Sequence, residues 1–449
     1  MTTKEEKKRA INRLKTMYPL RAQIDEAYKR NAEAIKEGKP TAWSMANFWE
    51  ADPISKAMGV EVIYPENYGA VLGASGIADR YLDLSDSEGF PSYLCGYSRA
   101  SFGYTCRMMR ETEGEVPPEA PMGGMPKPLF LTSQGTPCDA SVQWFQALGR
   151  YMDVPVWMME SPNPGVEEIF MEGAYERAVK FVKSELQAFI EFQERLLGKK
   201  MDWDKYAEMV DDTIEICRIA YETFELRKAK PCPMHSRDFW STVPVYYLSL
   251  GDTKKALKLY QDMYDEVKYR VDNGIGAVEP EKYRLAFADL PPWHSLSFFD
   301  RLAEKGWNFV VETHTYRPPI PLEGIEKISD PLERHARFHL QFMIGYYKMA
   351  LEDNEYFGFI GYPYLVYVRD FKCDGMFLHP LITCRSMSTH HPYVRDLIMR
   401  KVKVPSITVE GDIVDLRLFD PEDALRKAEA FEETMEHYKK VRKGEGFDW

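Results

Sequence analysis

Apolar residues recur at three- and four-residue spacing over residues 4–37, through Ile11, Leu14, Met17, Leu20, Ile24 and Ala27, which predicts a helical lead-in. The pattern changes at residue 41. AWSMANFWEADPISKAMGVEVIYPENYGA reads as a short strand, a helix entered through Asp52-Pro53, and a second strand over 60–64 that ends at a Pro-Glu-Asn turn. SYLCGYSRASFGY then reads as strand or loop, PKPLFLTSQGTPCDASVQWFQALGRYM as strand, turn and helix, and DVPVWMMES as a strand. From about 165 to 269 long amphipathic runs such as YERAVKFVKSELQAFIEFQERLLG and DKYAEMVDDTIEICRIAYETFELRKA predict helices. LAFADLPPW, GWNFVVETHTYRPP, CDGMFLHPLITCRS and VPSITVEGDIVD each read as a buried strand followed by a loop, with helices between them. This alternation predicts an α/β protein with two Rossmann-like lobes. Residues 1–40 form the helical lead-in, 41–164 the first lobe, 165–285 a helical region, and 286–449 the second lobe with a C-terminal helix. The two lobes are candidates for a shared fold, and the Pro-rich stretches 115–127 and 315–322 read as surface loops.

A length of 449 residues exceeds the size at which one core stops growing, so two or three domains are expected around a deep site. No apolar run approaches 18 residues, which predicts a soluble chain without a membrane span. The N-terminus mixes both charge signs and lacks a compact apolar stretch, so it does not read as a signal peptide and the cytoplasm is the expected location. A net charge of -12, with both signs interleaved, speaks against a nucleic-acid partner. Seven cysteines, an odd number in a chain read as cytoplasmic, argue for reduced thiols, some of them metal-bound, over a disulfide framework. With 22 methionines and 13% aromatic residues the interior is polarizable, as a large pocket allows.

Three cysteines share a suggestive setting. Cys138 lies in SQGTPCDA, where Gly135 and Pro137 shape a turn after an apolar strand and a helix begins near Asp139. A thiolate there gains from the positive end of the helix dipole. Cys384 is read one residue past a strand and directly before Arg385, a cation placed to lower the thiol pKa or to hold an anionic substrate group by bidentate hydrogen bonds. Cys95 in YLCGYSRASFGY repeats the layout, an apolar lead followed by the thiol, Gly96 and the cation Arg99. Each also fits a small buried core thiol. Their separations, 138 − 95 = 43 and 384 − 138 = 246 residues, match no CxxC-type metal pattern, so only the fold can unite them. Cys106, Cys217, Cys232 and Cys373 read as structural. Glu66, at a predicted strand end, is a candidate for proton transfer or for capping a turn, and His314 and His379 are candidates for acid–base or substrate contact or for satisfied core positions. The chain has no P-loop, no strand-placed G-x-G-x-x-G and no H-E-x-x-H, so any ATP dependence must come from a partner.

Taken in order, GVEVIYPENYGA, the Cys95 segment, TSQGTPCDA, CDGMFLHPLITCRS, and PSITVEGDIVD followed by an FDPEDALRKAEAFEE helix resemble the 2-hydroxyacyl-CoA dehydratase and ATP-dependent benzoyl-CoA reductase subunit family over roughly residues 40–440. The resemblance implies one 4Fe-4S cluster held by Cys95, Cys138 and Cys384, with the fourth iron open to substrate, water or a small ligand. It implies a homologous second cluster-bearing subunit, and a separate ATP-hydrolysing iron-sulfur activator that injects single electrons at low potential to form a ketyl radical from a CoA thioester. It also implies substrate handling by Ser44 and Glu66; Arg385 and His379, read from their own chemistry, are the candidate substrate contacts. Cys384-Arg385-Ser386 resembles the reductase branch, so aromatic acyl-CoA reduction is the leading expectation and 2-hydroxyacyl-CoA dehydration the alternative. The length and N-terminal helices resemble the larger, substrate-bearing subunit. A cluster-bearing electron relay and a metal-free binding protein are the contrasting expectations.

Overall fold

Among the described residues eight short strands form two separate four-stranded sheets, all of whose pairings are parallel. The computed structural model describes residues 10–45, 51–135, 138, 140–162, 164–248, 252–313, 318, 320–353 and 363–449. The first sheet contains β1 (Thr41–Ser44), β2 (Glu61–Ile63), β3 (Phe130–Gln134) and β4 (Val156–Met159). The second contains β5 (Tyr283–Ala288), β6 (Trp307–Glu312), β7 (Gly375–Leu378) and β8 (Ser406–Thr408). Their orders are β2-β1-β3-β4 and β6-β5-β7-β8, so both lobes use the same arrangement of second, first, third and fourth strand. The two-lobed α/β expectation holds, and the shared fold extends to strand order.

The strands show why the pattern was readable. β3, β5, β6 and β7 are buried along their whole length, as parallel strands covered by helices on both faces must be, whereas β4 and β8 carry partly exposed residues at the sheet edges. Between the lobes run the helices Ala174–Leu197, Trp203–Leu226, Ser236–Leu248 and Thr253–Asp272. Asp202 and Asp252 cap two of them by accepting from the Lys205 and Lys255 amides. This helical region is joined to both lobes. Gln193 donates to Ser55 Oγ at 3.1 Å in the first lobe, and Arg227 makes a buried bidentate pair with Glu312 of β6 at 2.6 and 2.7 Å. Among the described residues no helix is long and apolar enough to cross a membrane.

Four local expectations change. Among the described residues the lead-in helix runs over Met17–Lys36, and residues 10–16 are irregular, with Ile11 packed on Val278 and Ala303 and the Leu14 amide held by Asp238. Apolar spacing at Ile11 and Leu14 reflects packing on other elements, not a helix face. The Pro-Glu-Asn turn is the first turn of the helix Pro65–Ala74, since Pro is preorganised for the start of a helix. The Cys95 segment has no strand; Cys95 is the residue at which the helix Gly96–Glu111 begins. β7 stops at Leu378, six residues before Cys384.

Candidate functional site

In each lobe the strand order reverses between the two central strands, β1 and β3 in one, β5 and β7 in the other. Connections leave such a point in opposite directions, and a crevice opens beyond the carboxyl ends of those strands. The cysteines are placed by this rule. Cys138 follows β3 by four residues and Cys384 follows β7 by six, so the two occupy equivalent loops of the two lobes. Cys95 arrives differently, from the start of the helix Gly96–Glu111, whose first turn packs on the second lobe. A Cβ on Gly96 would stand 2.5 Å from Asp412 Oδ1 and 3.2 Å from Val414 Cβ, so only glycine permits the approach.

Exposure divides the seven thiols into two sets: Cys95, Cys138 and Cys384 are half-buried, whereas Cys106, Cys217, Cys232 and Cys373 are buried. The first three also feel one another. Burial pushes the Cys95 thiol well above its usual range, and the charges of Cys138 and Cys384 push it further. Cys138 is pushed up to about 12, by burial first and then by the Glu66 carboxylate and Cys384, while the Ala140 and Ser141 amides pull the other way. The expected lowering by the helix dipole is therefore overridden at Cys138. Three sulfurs that oppose each other's ionisation in a low dielectric are stabilised as thiolates by a cationic group among them. Three cysteine thiolates brought from three separate segments are the donor type an iron-sulfur group takes, so the residues present fit one.

The other candidates surround this trio unevenly. Glu66, in the first turn of the helix after β2, is the charged group that acts most strongly on Cys138. Ser44 closes β1 beside Thr132 of β3, is fully buried, and donates to Asp52 Oδ1 at 3.0 Å. Arg385 is exposed and, with Leu381, Cys384, Ser388 and Glu410, borders a cavity of about 400 Å³. His379 is buried between Phe287 and Phe419 and donates from Nδ1 to the Val409 carbonyl at 2.6 Å. His314, Asp139 and Pro137 lie outside the described residues.

Sequence reasoning missed two features. Asp289 directly follows β5 in the left-handed region, φ +73°, and its carboxylate meets His391 Nε2 at 2.5 Å and Tyr364 Oη at 3.2 Å, while Tyr364 meets His390 Nε2 at 2.5 Å. The ligand atoms of Asp289, His390 and His391 lie within 4.8 Å of one another. One placement of protons satisfies every contact: His390 donates to Tyr364, Tyr364 to Oδ1, and His391 to Oδ2. The only sequence signal was the pair His390-His391 at a helix start. The second feature is Asp412, fully buried, whose Oδ1 accepts from the Val414 and Asp415 amides at 2.8 and 2.7 Å and whose Oδ2 accepts from Thr383 Oγ1.

Comparison with known proteins places the chain in a family. The family described as 2-hydroxyglutaryl-CoA dehydratase, D-component, matches residues 52–435. Over 453 residues the chain is 24% identical to the (R)-2-hydroxyisocaproyl-CoA dehydratase alpha subunit of Clostridioides difficile, covering 99% of this chain and 100% of that one. It is 20% identical to the alpha subunit of the (R)-2-hydroxyglutaryl-CoA dehydratase of Acidaminococcus fermentans, with 93% and 96% covered. To a benzoyl-CoA reductase subunit of Thauera aromatica it is 23% identical, with 77% and 78% covered.

Proposed function

Because the chain belongs to the 2-hydroxyglutaryl-CoA dehydratase D-component family, we propose that it is the alpha-like, iron-sulfur subunit of a 2-hydroxyacyl-CoA dehydratase. The observation that carries this reading is the trio Cys95, Cys138 and Cys384, half-buried and mutually coupled where the two lobes meet. These residues would hold one 4Fe-4S cluster. When bound, such a cluster supplies one-electron transfer at low potential and, at an iron no thiolate occupies, a Lewis-acidic site. A homologous cluster-bearing subunit and an ATP-hydrolysing activator complete the assembly in this reading.

The chain's own residues then have separate tasks. Glu66 stands beside Cys138 and is the proton-handling group for the substrate. Ser44, on the neighbouring strand end, positions an acyl oxygen, and leaves its bond to Asp52 to do so. Arg385 offers a bidentate cation at the cavity beside Cys384, suited to an anionic portion of a CoA thioester. His379 acts from behind the loop, by holding the Val409 carbonyl. A cavity of about 400 Å³ at Cys384 accommodates an acyl group, which favours a substrate-bearing subunit over an electron relay.

The leading expectation from Cys384-Arg385-Ser386 was aromatic acyl-CoA reduction. Full-length similarity to dehydratase alpha subunits now weighs more than that tripeptide, so reduction stands as the second reading, favoured by Arg385 alone.

Iron and sulfide analysis after anaerobic reconstitution tests the cofactor. About four of each per chain is expected, Cys138→Ala should lose them, and Cys217→Ala should keep them. Full iron in both variants removes the ligand assignment. Assay with partner and activator on 2-hydroxyacyl-CoA and benzoyl-CoA substrates identifies the reaction by its product: an enoyl-CoA supports dehydration, and a ring-reduced thioester supports the second reading.

A further inference from the structure

We propose that Asp412 is a positioning residue which ties the Cys95 and Cys384 segments together and, as a buried negative charge that no described cation pairs with, holds the reduction potential of the bound cluster low. The inference rests on the reading of the three cysteines as cluster ligands.

Asp412 lies in the loop after β8, remote from all three thiols in sequence, and touches two of their segments. Its Oδ2 accepts from Thr383, the residue before Cys384. Its Oδ1 faces Gly96, the residue after Cys95, so closely that a Cβ there would stand 2.5 Å away. The same oxygen accepts from the Val414 and Asp415 amides, which fixes the carboxylate in one orientation. One side chain thus spans the gap between a first-lobe helix and a second-lobe loop.

Its charge is not neutralised. The nearby cations are engaged elsewhere: Arg99 with Asp86 and Asp415, and Arg417 with Asp415 and Asp83. His294 donates to the Asp412 backbone carbonyl at 3.0 Å rather than to the carboxylate. Among the described residues no ion pair includes Asp412. Three hydrogen bonds to neutral donors stabilise a carboxylate without cancelling its charge. The influence reaches the site, since the Asp412 carboxylate lies against Gly96, the residue next to Cys95, in a buried setting where charge acts strongly. Cluster potentials follow net charge, hydrogen bonding and exposure around the sulfurs. A fixed negative charge at this position disfavours the added electron and lowers the potential, which suits a low-potential reductant.

The test is an anaerobic redox titration of the reconstituted full-length chain, followed by the EPR signal of the reduced cluster. Asp412→Asn keeps the shape and an acceptor oxygen but removes the charge; its midpoint should shift to more positive potential with iron and sulfide unchanged. Thr383→Val cuts the tether and keeps the charge; its midpoint should stay near wild type while iron loss to a chelator becomes faster. A loaded Asp412→Asn chain with the wild-type midpoint overturns the electrostatic role, and a Thr383→Val chain that releases iron at the wild-type rate overturns the tether. If Asp412→Asn does not load, Asp412→Ser, which makes the same charge change in a smaller side chain, decides by the same criterion; failure of both to load overturns the electrostatic role in favour of a folding one. Failure of wild type to bind iron would instead remove the cluster reading itself.

Discussion

Arg99, one turn into the helix that begins at Cys95, places Nη1 3.2 Å from Asp415 Oδ2 in the second lobe, and both side chains are buried. The same guanidinium holds Asp86 through three further contacts, and Asp415 is shared with Arg417. This network fastens the Cys95 helix to the loop that carries Asp412, so the cross-lobe contact and the thiol site are one mechanical unit.

Removing Arg99 should therefore cost stability in a pH-dependent way. Arg99→Leu leaves Asp415 with Arg417 alone, and losing one partner of a buried pair costs about 3 kcal/mol. Burial tends to raise the Asp415 carboxyl, yet Arg417 and Arg99 hold it below the ordinary range. A carboxyl lowered on folding contributes in full above its unfolded pKa and loses that contribution as pH falls through the folded value. The stability gap between wild type and Arg99→Leu should be widest at neutral pH and narrow below about pH 4. Urea midpoints at several pH values check this, and a gap that is flat with pH contradicts it.

His379 gives the second pH window. Burial pushes its imidazole from 6.5 down to about 4, so the folded chain keeps it neutral where the unfolded chain protonates it. Stability from this group is complete above pH 6.5 and is lost as pH falls toward 4, by at most about 3 kcal/mol. His379→Phe, packed in the same Phe287 and Phe419 slot, should flatten the fall in stability over that interval. An unchanged slope shows that other groups set it.

Two glycines rank in an order set by what a methyl group meets. A Cβ on Gly103 would lie 1.7 Å from the Tyr81 carbonyl oxygen, a backbone atom that cannot step aside, whereas at Gly96 the first obstacle is the Asp412 carboxylate. Gly103→Ala should be the more destabilising, beyond the roughly 1–3 kcal/mol typical of overpacking, and Gly96→Ala should fall within that range while loosening iron. Denaturant midpoints and iron retention measured together separate the two effects.

Thiol exposure predicts a labelling pattern. In the native chain before reconstitution, an alkylating reagent at alkaline pH should modify Cys95, Cys138 and Cys384 first, and reach Cys106, Cys217, Cys232 and Cys373 only on unfolding. Peptide mass analysis reads this directly. Fast native labelling of any of the second set contradicts the packing described above.

Ser44 and Glu66 should separate by stability. Ser44→Ala removes the buried Ser44–Asp52 hydrogen bond, at about 1 kcal/mol, whereas Glu66→Gln, isosteric at a half-buried position, should cost less and reduce kcat in the assembled enzyme. An equal loss of stability in both would assign Glu66 a structural role.

The sequence made some of this legible for identifiable reasons. YRLAFA and WNFVVE are buried along their full length, so their apolar runs could be read as central strands without tertiary information. The place of Cys138 between a strand and a helix was legible because SQGTPCDA follows an apolar run and precedes an amphipathic one, β3 ending at Gln134 and the next helix beginning at Ser141. The Cys95 segment, read as strand or loop, is a loop up to the thiol, where Tyr93 is 71% exposed, and what the reading lacked was the helix that begins at Gly96. Asp412 carried no local signal. Its role comes from Thr383, 29 residues away, and from Gly96 on the other lobe, and such contacts exist only once the chain has folded. The same holds for Asp289, whose contacts Tyr364 and His391 lie 75 and 102 residues further along the chain.

The repeated strand order divides the sulfurs unequally. Under the proposed ligation one half of the chain brings Cys95 and Cys138 and the other Cys384 alone, so neither half completes a three-point grip by itself. Expressed as two separate polypeptides, the halves would assemble the grip only by meeting, and retention of iron would then depend on protein concentration. In the intact chain that encounter is intramolecular, so separation of the lobes and shedding of the metal become a single event.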